Sequence, residues 1–219
     1  MGAQPAKRTT IRGTHERAAR KQGYVLVAGA DEAGRGSLFG PVFAAAVILN
    51  PEAPIRGLRD SKQLLPDRRE ELAVRIRQRA ICWAVATADA AEIDTINIYQ
   101  ASRLAVRRAI EMLLPAPDYL LIDALAIDLP LPQRGLIHGD AICPTIAAAS
   151  ILAKVDRDAC MREWDARYPQ YGLARHKGYC TPEHLEALAL HGPTPFHRMS
   201  YEPVRQIPLF RPSEMTACH

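Results

Sequence analysis

The sequence lacks a long hydrophobic run, closely spaced cysteines and internal repeats. Its 219 residues are 48% hydrophobic and 24% charged. The longest apolar stretches, such as residues 43–49, are well short of the roughly 18–20 residues that a membrane helix needs, so we expect no membrane span. The five cysteines lie far apart and have no histidines at zinc-ligand spacing. They exclude a disulfide framework and a zinc site, and they predict reduced thiols in a cytoplasmic protein.

Positive charge is concentrated at the N-terminus. Residues 1–23 contain six Lys and Arg but only one acid, Glu16, whereas the whole chain has a net charge of +4. We interpret residues 1–23 as a flexible basic tail, with weak attraction to a polyanion or a mitochondrial transit function as open alternatives. Residues 24–205 are expected to form one domain. The C-terminal tail, residues 206–219, is either a partner-binding segment or plain disorder.

The apolar pattern between the tails predicts alternating strands and helices. Short apolar runs bounded by turn residues predict five strands, at residues 24–30, 42–49, 81–87, 119–122 and 135–137. The first two are expected to form a hairpin. Helical spacing, or the absence of Gly and Pro, predicts three main helices, at residues 66–79, 97–114 and 145–168. This order is typical of a mixed α/β sheet.

Four acids follow an apolar run or its closing turn: Asp31, Glu32, Asp123 and Asp140. If the strands before Asp31 and Asp123 are neighbours, their carboxylates converge, and like charges at close range are unfavourable without a cation. Carboxylate oxygens suit Mg²⁺ or Mn²⁺, and two such ions would activate a water and stabilise a leaving oxygen. A turn or cap role is the alternative for each acid alone. Because adjacent strand residues face opposite sides, Asp31 and Glu32 share a site only if the strand ends or bulges there.

Three glycines, Gly34, Gly36 and Gly40, follow the first predicted strand and are typical of a phosphate-binding dinucleotide loop. We reject that interpretation, because two acids precede the loop and a strand rather than a helix follows it. The amides of Gly34 and Gly36, with Arg35, can still bind a sugar-phosphate, since glycine lets a ligand approach the chain closely.

Six motifs occur in the order and spacing of one known family: DEAGRG (31–36), DSK (60–62), LID (121–123), HGD (138–140), AAASILAKVDRD (147–158) and YGLARHKGY (171–179). From about residue 25 to residue 204, the chain closely resembles ribonuclease HII. The resemblance implies an α/β ribonuclease H-like fold, in which a mixed five-stranded sheet is flanked by helices and followed by a C-terminal helical extension. It also implies that the family's four metal-binding catalytic carboxylates are Asp31, Glu32, Asp123 and Asp140.

The resemblance further implies an endonuclease that depends on Mg²⁺ or Mn²⁺, with two ions in the active complex. Such an enzyme hydrolyses the RNA strand of RNA/DNA hybrids and nicks duplex DNA 5′ to a single embedded ribonucleotide, leaving a 3′-hydroxyl and a 5′-phosphate. The expected partner is therefore hybrid or ribonucleotide-containing duplex, bound by a monomer. A sliding-clamp or polymerase partner is left open.

The substrate-binding residues are also implied by the resemblance. The loop that reads the RNA–DNA junction falls on Gly34, Arg35 and Gly36, and the tyrosine that stacks on the following deoxyribose falls on Tyr179. Two further positions resemble residues that touch phosphates, namely Ser61 and Lys62. A helix cap before Pro66 is their alternative role.

The sequence departs from the family pattern at two positions, and some polar residues are left outside the site. Ala124 and Cys180 stand where the family usually has Gly, and Gly or Pro, respectively. Asp156 and Asp158 lie inside the long predicted helix, and we interpret them as surface or capping residues. His176 is the histidine expected nearest to substrate, but none is assigned a catalytic role.

Two other classes of function remain as alternatives. A catalytically idle nucleic-acid-binding module would bind hybrid duplex without cleaving it, although the intact carboxylates argue against this. A resolvase or another nuclease of the same fold would cut all-DNA junctions without requiring a ribose.

Overall fold

Within the residues that the computed structural model describes, 13–207, five strands form one mixed sheet. In chain order, strands β1 to β5 span Val27–Ala33, Val42–Leu49, Ala80–Ala88, Tyr119–Asp123 and Gln133–Leu136. Their order across the sheet is β3-β2-β1-β4-β5. The pairs β1–β2 and β2–β3 are antiparallel, whereas β1–β4 and β4–β5 are parallel. The five-stranded mixed sheet and its opening hairpin are therefore confirmed.

Helices cover both faces of the sheet and continue beyond its last strand. In chain order, helices α1 to α8 span Thr14–Lys21, Pro66–Arg79, Ala90–Glu111, Gly139–Ile142, Pro144–Arg167, Leu173–His176, Pro182–His191 and Glu202–Arg205. Single 3₁₀ turns occur at Ser61–Gln63 and Pro169–Tyr171. The predicted boundaries of α2 are confirmed, and those of α5 differ by one residue at each end.

Helices bury both faces of the sheet, and the side chains of β2 alternate between the two resulting hydrophobic clusters. Ala44 and Ala46 pack with α3 on one face, while Ala45 and Val47 pack with α2 and α5 on the other. Small side chains let the helices approach closely. At Gly29 the approach is closest, since a Cβ there would lie 2.3 Å from the backbone carbon of Thr145. The first turn of α5 is thereby packed directly on β1.

Helix α3 begins earlier than its apolar spacing predicts. It starts at Ala90 rather than residue 97, after a capping box in which Asp89 and Glu92 bond each other's backbone N–H groups. Asn97 interrupts the helix with a left-handed backbone, φ 66°. Two helical stretches therefore meet at Asn97, whose Oδ1 accepts a hydrogen bond from the Gln100 N–H at 3.1 Å. The predicted start at residue 97 is the start of the second stretch. The prediction missed the first stretch and placed the end at residue 114 instead of Glu111.

The flexible N-terminal tail was also expected to reach residue 23, but residues 14–21 form α1. Glu16 and Ala19 are both buried, so this helix belongs to the folded part of the chain. Residues 1–12 and 208–219, which include most of the two predicted tails and Cys218, lie outside the described residues. Four cysteines are free thiols: Cys82, Cys143, Cys160 and Cys180.

The helices after α5 pack against the connection between β1 and β2. Leu38 and Phe39 of that connection are buried together with Met161 of α5 and Leu188 of α7. This cluster fixes residues 177–179 beside the loop that follows β1. Between residues 13 and 207, no helix combines the length and the apolar character that crossing a bilayer requires.

Candidate active site

The register of the sheet brings the predicted acids to one edge. Ala30 of β1 pairs with Ile122 of β4 in parallel, so the next residues along the two strands are Asp31 and Asp123. The backbone N–H of Gly139, at the start of α4, donates to Asp123 Oδ1 at 2.7 Å. Asp140 follows in the same turn of helix. The three acids therefore come from three elements, β1, β4 and α4, that meet at this edge, as the sequence predicts.

Asp31 and Glu32 reach this edge without the strand ending or bulging that we expected. The pairing of β1 with β2 continues through both acids to Ala33 without a register shift. Glu32 donates its backbone N–H to Asp31 Oδ1 at 2.7 Å, and its Oε1 lies 3.1 Å from Arg35 Nη1. The charge of Asp123 raises the pKa of both Asp31 and Glu32.

Burial and mutual repulsion oppose ionisation in this cluster. Burial raises the pKa of Asp31 well above its usual value, and the charges of Glu32 and Asp123 raise it further. Burial also raises the pKa of Glu32, although Arg35 counteracts it. For Asp140, burial and then the neighbouring Asp60 raise the pKa, against the lowering effect of Lys62. A site that disfavours its own negative charge is one that a cation stabilises.

The donor set fits a hard divalent cation. Asp31, Glu32, Asp123 and Asp140 offer only oxygen ligands, and Glu32 Oε2 is buried without a hydrogen-bond partner. In the part of the chain that is described, no three His, Cys, Asp or Glu side chains lie close enough together to enclose an ion as they stand. Binding would therefore draw the carboxylates closer, which their mutual repulsion opposes without the ion.

Sequence reasoning missed Asp60, although it lies in the DSK motif. Asp60 accepts a hydrogen bond from the Lys62 backbone N–H at 2.9 Å, which caps the 3₁₀ turn, and it raises the pKa of Asp140. The Lys62 side chain is 81% exposed and its Nζ lies 3.7 Å from Asp140 Oδ2. Lys62 is thus placed at the edge of the acid cluster, where it can meet a phosphate.

Ser61 has a different environment from the one expected. Its side chain is buried, and its Oγ lies 2.9 Å from Ser150 Oγ on α5. It does not cap α2, whose N-cap residue is Leu65 and which has no side-chain cap. The Ser61 hydroxyl therefore ties the DSK turn to α5 instead of facing solvent.

Asp158 is not a surface residue. It is buried on α5, where Lys154 Nζ lies 2.7 Å from its Oδ1 and Arg69 Nη2 lies 3.6 Å from its Oδ2. Arg69 also donates to the Ser61 carbonyl at 3.2 Å. Asp158 thus supports the DSK turn through Arg69. Asp156, in contrast, forms a partly exposed ion pair with Arg77.

The glycine loop and Tyr179 are brought together. Ser37, directly after the loop, forms an isolated antiparallel bridge with Tyr179, and Leu38 donates its backbone N–H to the Gly178 carbonyl at 2.8 Å. The Tyr179 ring is 4.0 Å from where a Cβ on Gly36 would lie. Predicted substrate residues from distant parts of the sequence therefore form one continuous surface.

Two buried arginines, Arg157 and Arg198, contact the glycine loop and Tyr179 from the protein interior. Arg157 on α5 lies 5.2 Å from the Tyr179 ring centroid, and a Cβ on Gly34 would meet its Nε at 2.0 Å. Gly34 has φ +95°, so both its backbone and its surroundings require glycine. Arg198 donates to the Arg35 carbonyl at 2.8 Å. The backbone of the loop is thereby fixed before any ligand binds.

Ala124, one of the two departures from the family pattern, has a positive φ angle. Ala124 has φ 47°, in the left-handed region that favours glycine, and it directly follows Asp123. Its backbone N–H donates to the Leu136 carbonyl at 3.0 Å, so the strained residue stays in the β4–β5 pairing. Cys180, the other departure, is exposed.

Comparisons with known proteins agree with this arrangement. The family model of ribonuclease HII matches residues 28–204. Ribonuclease HII of Solibacter usitatus is 63% identical over 192 residues, covering 88% of this chain and 84% of that protein. The crystal structure of ribonuclease H2 from Pyrococcus horikoshii has a TM-score of 0.72 and 25% identity, over 84% of this chain and 97% of that one. Ribonuclease HII from Archaeoglobus fulgidus, solved in complex with PCNA, has a TM-score of 0.69 and 27% identity, over 84% and 98%.

Proposed function

Because the chain belongs to the ribonuclease HII family, we propose that it is a divalent-metal-dependent endonuclease that cuts RNA joined or paired to DNA. It hydrolyses the RNA strand of RNA/DNA hybrids and nicks duplex DNA 5′ to a single embedded ribonucleotide, as the first cut in removing it. The observation that carries this proposal is the group of four carboxylates at one edge of the sheet, in which the pKa values of Asp31, Glu32 and Asp140 are raised, next to a glycine loop and Tyr179.

The four acids would hold Mg²⁺ or Mn²⁺, with Asp31, Glu32, Asp123 and Asp140 as ligands. When bound, two such ions supply an activated water and stabilise the leaving oxygen of the phosphodiester, giving a 3′-hydroxyl and a 5′-phosphate. Asp31 is held for this task by the Glu32 N–H at 2.7 Å, and Asp123 by the Gly139 N–H at 2.7 Å. Lys62, largely exposed beside Asp140, would bind a substrate phosphate.

Selectivity for ribose would come from the surface formed by the glycine loop and Tyr179. The 2′-hydroxyl is the group that separates RNA from DNA at a given step, and the amides of Gly34, Arg35 and Gly36 can bond it. A flat tyrosine ring fits against the next deoxyribose but crowds a second 2′-hydroxyl. Together they would select the junction where RNA passes into DNA.

We place this enzyme in the cytoplasm as a monomer, acting on hybrid and ribonucleotide-containing duplex. A clamp partner is a further part of the proposal, since the Archaeoglobus fulgidus relative was solved with PCNA. The segment after Val204 is the part of this chain that would serve it. Removing residues 208–219 should then abolish clamp binding while leaving hydrolysis of short hybrids unchanged.

The test is hydrolysis of a short RNA/DNA hybrid with Mg²⁺, with Mn²⁺ and with chelator, for wild type, Asp31→Asn and Asp128→Asn. Asp128 is exposed and lines a surface groove with Arg103 and Arg107 of α3 that none of the four acids lines, so it is the matched control. We expect cleavage in either metal, none with chelator, and a loss of at least about a hundredfold for Asp31→Asn, since metal-held transition-state charge is worth several kcal/mol.

The other outcomes separate the alternatives. Binding of hybrid without cleavage in either metal would favour the idle module. Cleavage of all-DNA junctions, with no gain from a ribose, would favour a resolvase-like nuclease.

A further inference from the structure

Two fully buried histidines lie behind Tyr179 and have no part in the proposed chemistry. His184, on α7, and His197, after α7, are each 0% exposed. Neither forms an ion pair with a carboxylate within the described chain. Their ring nitrogens contact only backbone groups, the Thr194 hydroxyl and each other.

The hydrogen bonds of these two rings form a chain in which the donor and the acceptor of each bond can be assigned. The Thr194 backbone N–H donates to His197 Nδ1 at 2.9 Å, so that nitrogen is an acceptor and the proton of a neutral ring is on Nε2. His197 Nε2 lies 3.2 Å from His184 Nε2, which must then accept. The remaining nitrogen, His184 Nδ1, carries the proton and donates to the Tyr179 carbonyl at 3.0 Å.

The rings are held in the neutral form that this chain requires. Burial lowers the pKa of His184 to about 4 and that of His197 to about 3. The charge of His176 lowers the pKa of His184 further, and the charge of His184 lowers that of His197. A second proton on His184 would set its Nε2–H against the Nε2–H of His197. A second proton on His197 would set its Nδ1–H against the Thr194 N–H. Neutral rings satisfy every nitrogen in the chain.

The segment that carries Tyr179 depends on such contacts, because its backbone is unusual. Lys177 and Gly178 both have positive φ, 54° and 75°. His176 accepts a hydrogen bond from the Gly178 N–H at 3.1 Å, and its ring stacks on His184 with 4.6 Å between centroids. The Tyr179 carbonyl accepts hydrogen bonds from two donors, the Thr181 backbone N–H at 2.9 Å and His184 Nδ1 at 3.0 Å. Of these two, only the His184 bond comes from a side chain.

We propose that His197 and His184 are positioning residues that fix the backbone of Tyr179 through this directed hydrogen-bond chain, and so set the preference for the RNA–DNA junction. The inference deepens the proposed function and rests on the role of Tyr179 given there. The histidines touch no reacting atom. They act by holding the tyrosine ring in register with the glycine loop.

The test compares His184→Leu, which removes the donor to Tyr179, with His184→Asn, whose side-chain amide keeps a donor near Nδ1. His191→Leu is the matched control, because His191 is exposed at the end of the same helix and packs only on the Tyr171 ring among the aromatic contacts. The readout is the rate of nicking at one embedded ribonucleotide divided by the rate on an all-RNA strand paired with DNA.

We expect His184→Leu to lower this ratio about tenfold, which corresponds to the loss of one buried hydrogen bond, with hydrolysis of the all-RNA strand changed less than threefold. His184→Asn should recover most of the ratio, and His191→Leu should leave it unchanged. An unchanged ratio in folded His184→Leu would overturn the inference. A wild type without any junction preference would overturn the proposed function as well.

A spectroscopic measurement tests the same inference without using activity. Nitrogen-15 NMR of the wild-type imidazoles at neutral pH should show the proton of His184 on Nδ1 and that of His197 on Nε2. The opposite tautomer at either ring would contradict the directed chain, even if His184→Leu fails to fold.

Discussion

At Asp31, burial and two neighbouring carboxylates act in the same direction. Burial, then Glu32 and Asp123, raise the pKa of this group, so its charged form destabilises the metal-free protein. Asp158 is buried to a similar extent, yet Lys154 and Arg69 neutralise it. Asp158 is paired within the chain, whereas Asp31 has no cationic partner among the causes of its pKa shift. This difference supports our proposal that Asp31 is a metal ligand and Asp158 a supporting residue.

Replacing Asp31 with Asn should stabilise the metal-free protein. Asn keeps an oxygen that accepts the Glu32 N–H but removes the repelling charge. We expect the melting temperature in chelator to rise by about 2–4 °C, the shift that 1 kcal/mol produces in a domain of this size. Calorimetry of both forms measures it, with Asp128→Asn as the control.

Added Mg²⁺ should reverse the order of the two proteins, because only the wild type retains the full ligand set. If Asp31→Asn melts below the wild type in chelator, the carboxylate cluster does not store the repulsion that its geometry implies.

At the scale of single residues, the sequence identifies the acids but not what surrounds them. Asp31, Glu32, Asp123 and Asp140 were predicted as a group because each follows an apolar run or its closing turn. Asp60 gave no such signal, since its effect on the pKa of Asp140 depends on how the DSK turn packs. The burial of Ser61 and Asp158 depends in the same way on contacts between α2 and α5.

Helix α1 shows how a tertiary contact determines an element with a weak sequence signal. Its sequence, THERAARK, is so polar that it suggests a solvated tail. Glu16, however, accepts hydrogen bonds from the Thr145 backbone N–H at 3.0 Å and from its hydroxyl at 2.9 Å. Cys143 Sγ lies 3.2 Å from the same oxygen. A carboxylate from one helix thus caps the start of another, α5.

Glu16→Ala should therefore destabilise the protein by about 1–3 kcal/mol, the cost of losing a helix cap and leaving buried donors unsatisfied. Glu163→Ala, at an exposed position on α5, is the control and should change stability by less than about 0.5 kcal/mol. Urea unfolding of both variants measures the difference. Equal, small effects would mean that α1 does not contribute to the folded domain.

Elements with strong local patterns were predictable and those defined by packing were not. The strand β2 is an apolar run between prolines, and α2 begins at Pro66, so the sequence alone marks both. The strand β1 was predicted at residues 24–30 but spans Val27–Ala33, because its last residues include the two acids. For α3 only the stretch from Asn97 onward was predicted, because the non-helical backbone of Asn97 interrupts the helical spacing between its two stretches.

For the whole molecule, the buried histidines predict a loss of stability in mild acid. The pKa of His184 is lowered to about 4 and that of His197 to about 3, from an ordinary value of 6.5. Below about pH 6.5 the unfolded chain therefore binds protons that the folded chain does not, and folding stability falls with pH until about pH 4 to 3. Above about pH 6.5 this contribution is fully present.

Urea unfolding at about pH 7.5 and about pH 5 measures this effect. The raised pKa values of Asp31 and Glu32 act in the opposite direction in metal-free protein, so the comparison must be made between variants. His184→Asn should lose less stability between the two pH values than the wild type, and His191→Asn should lose as much as the wild type. Identical losses in all three proteins would show that His184 is not held neutral.

The whole arrangement leads to one measurement, the position of the cut in a DNA duplex that contains a single ribonucleotide, with Mg²⁺ present. The carboxylate edge, the glycine loop and Tyr179 predict one nick on the 5′ side of the ribose, leaving a 3′-hydroxyl, and no cut in the same duplex made entirely of DNA. Equal cutting of the two duplexes, or a nick elsewhere in the strand, would contradict the account.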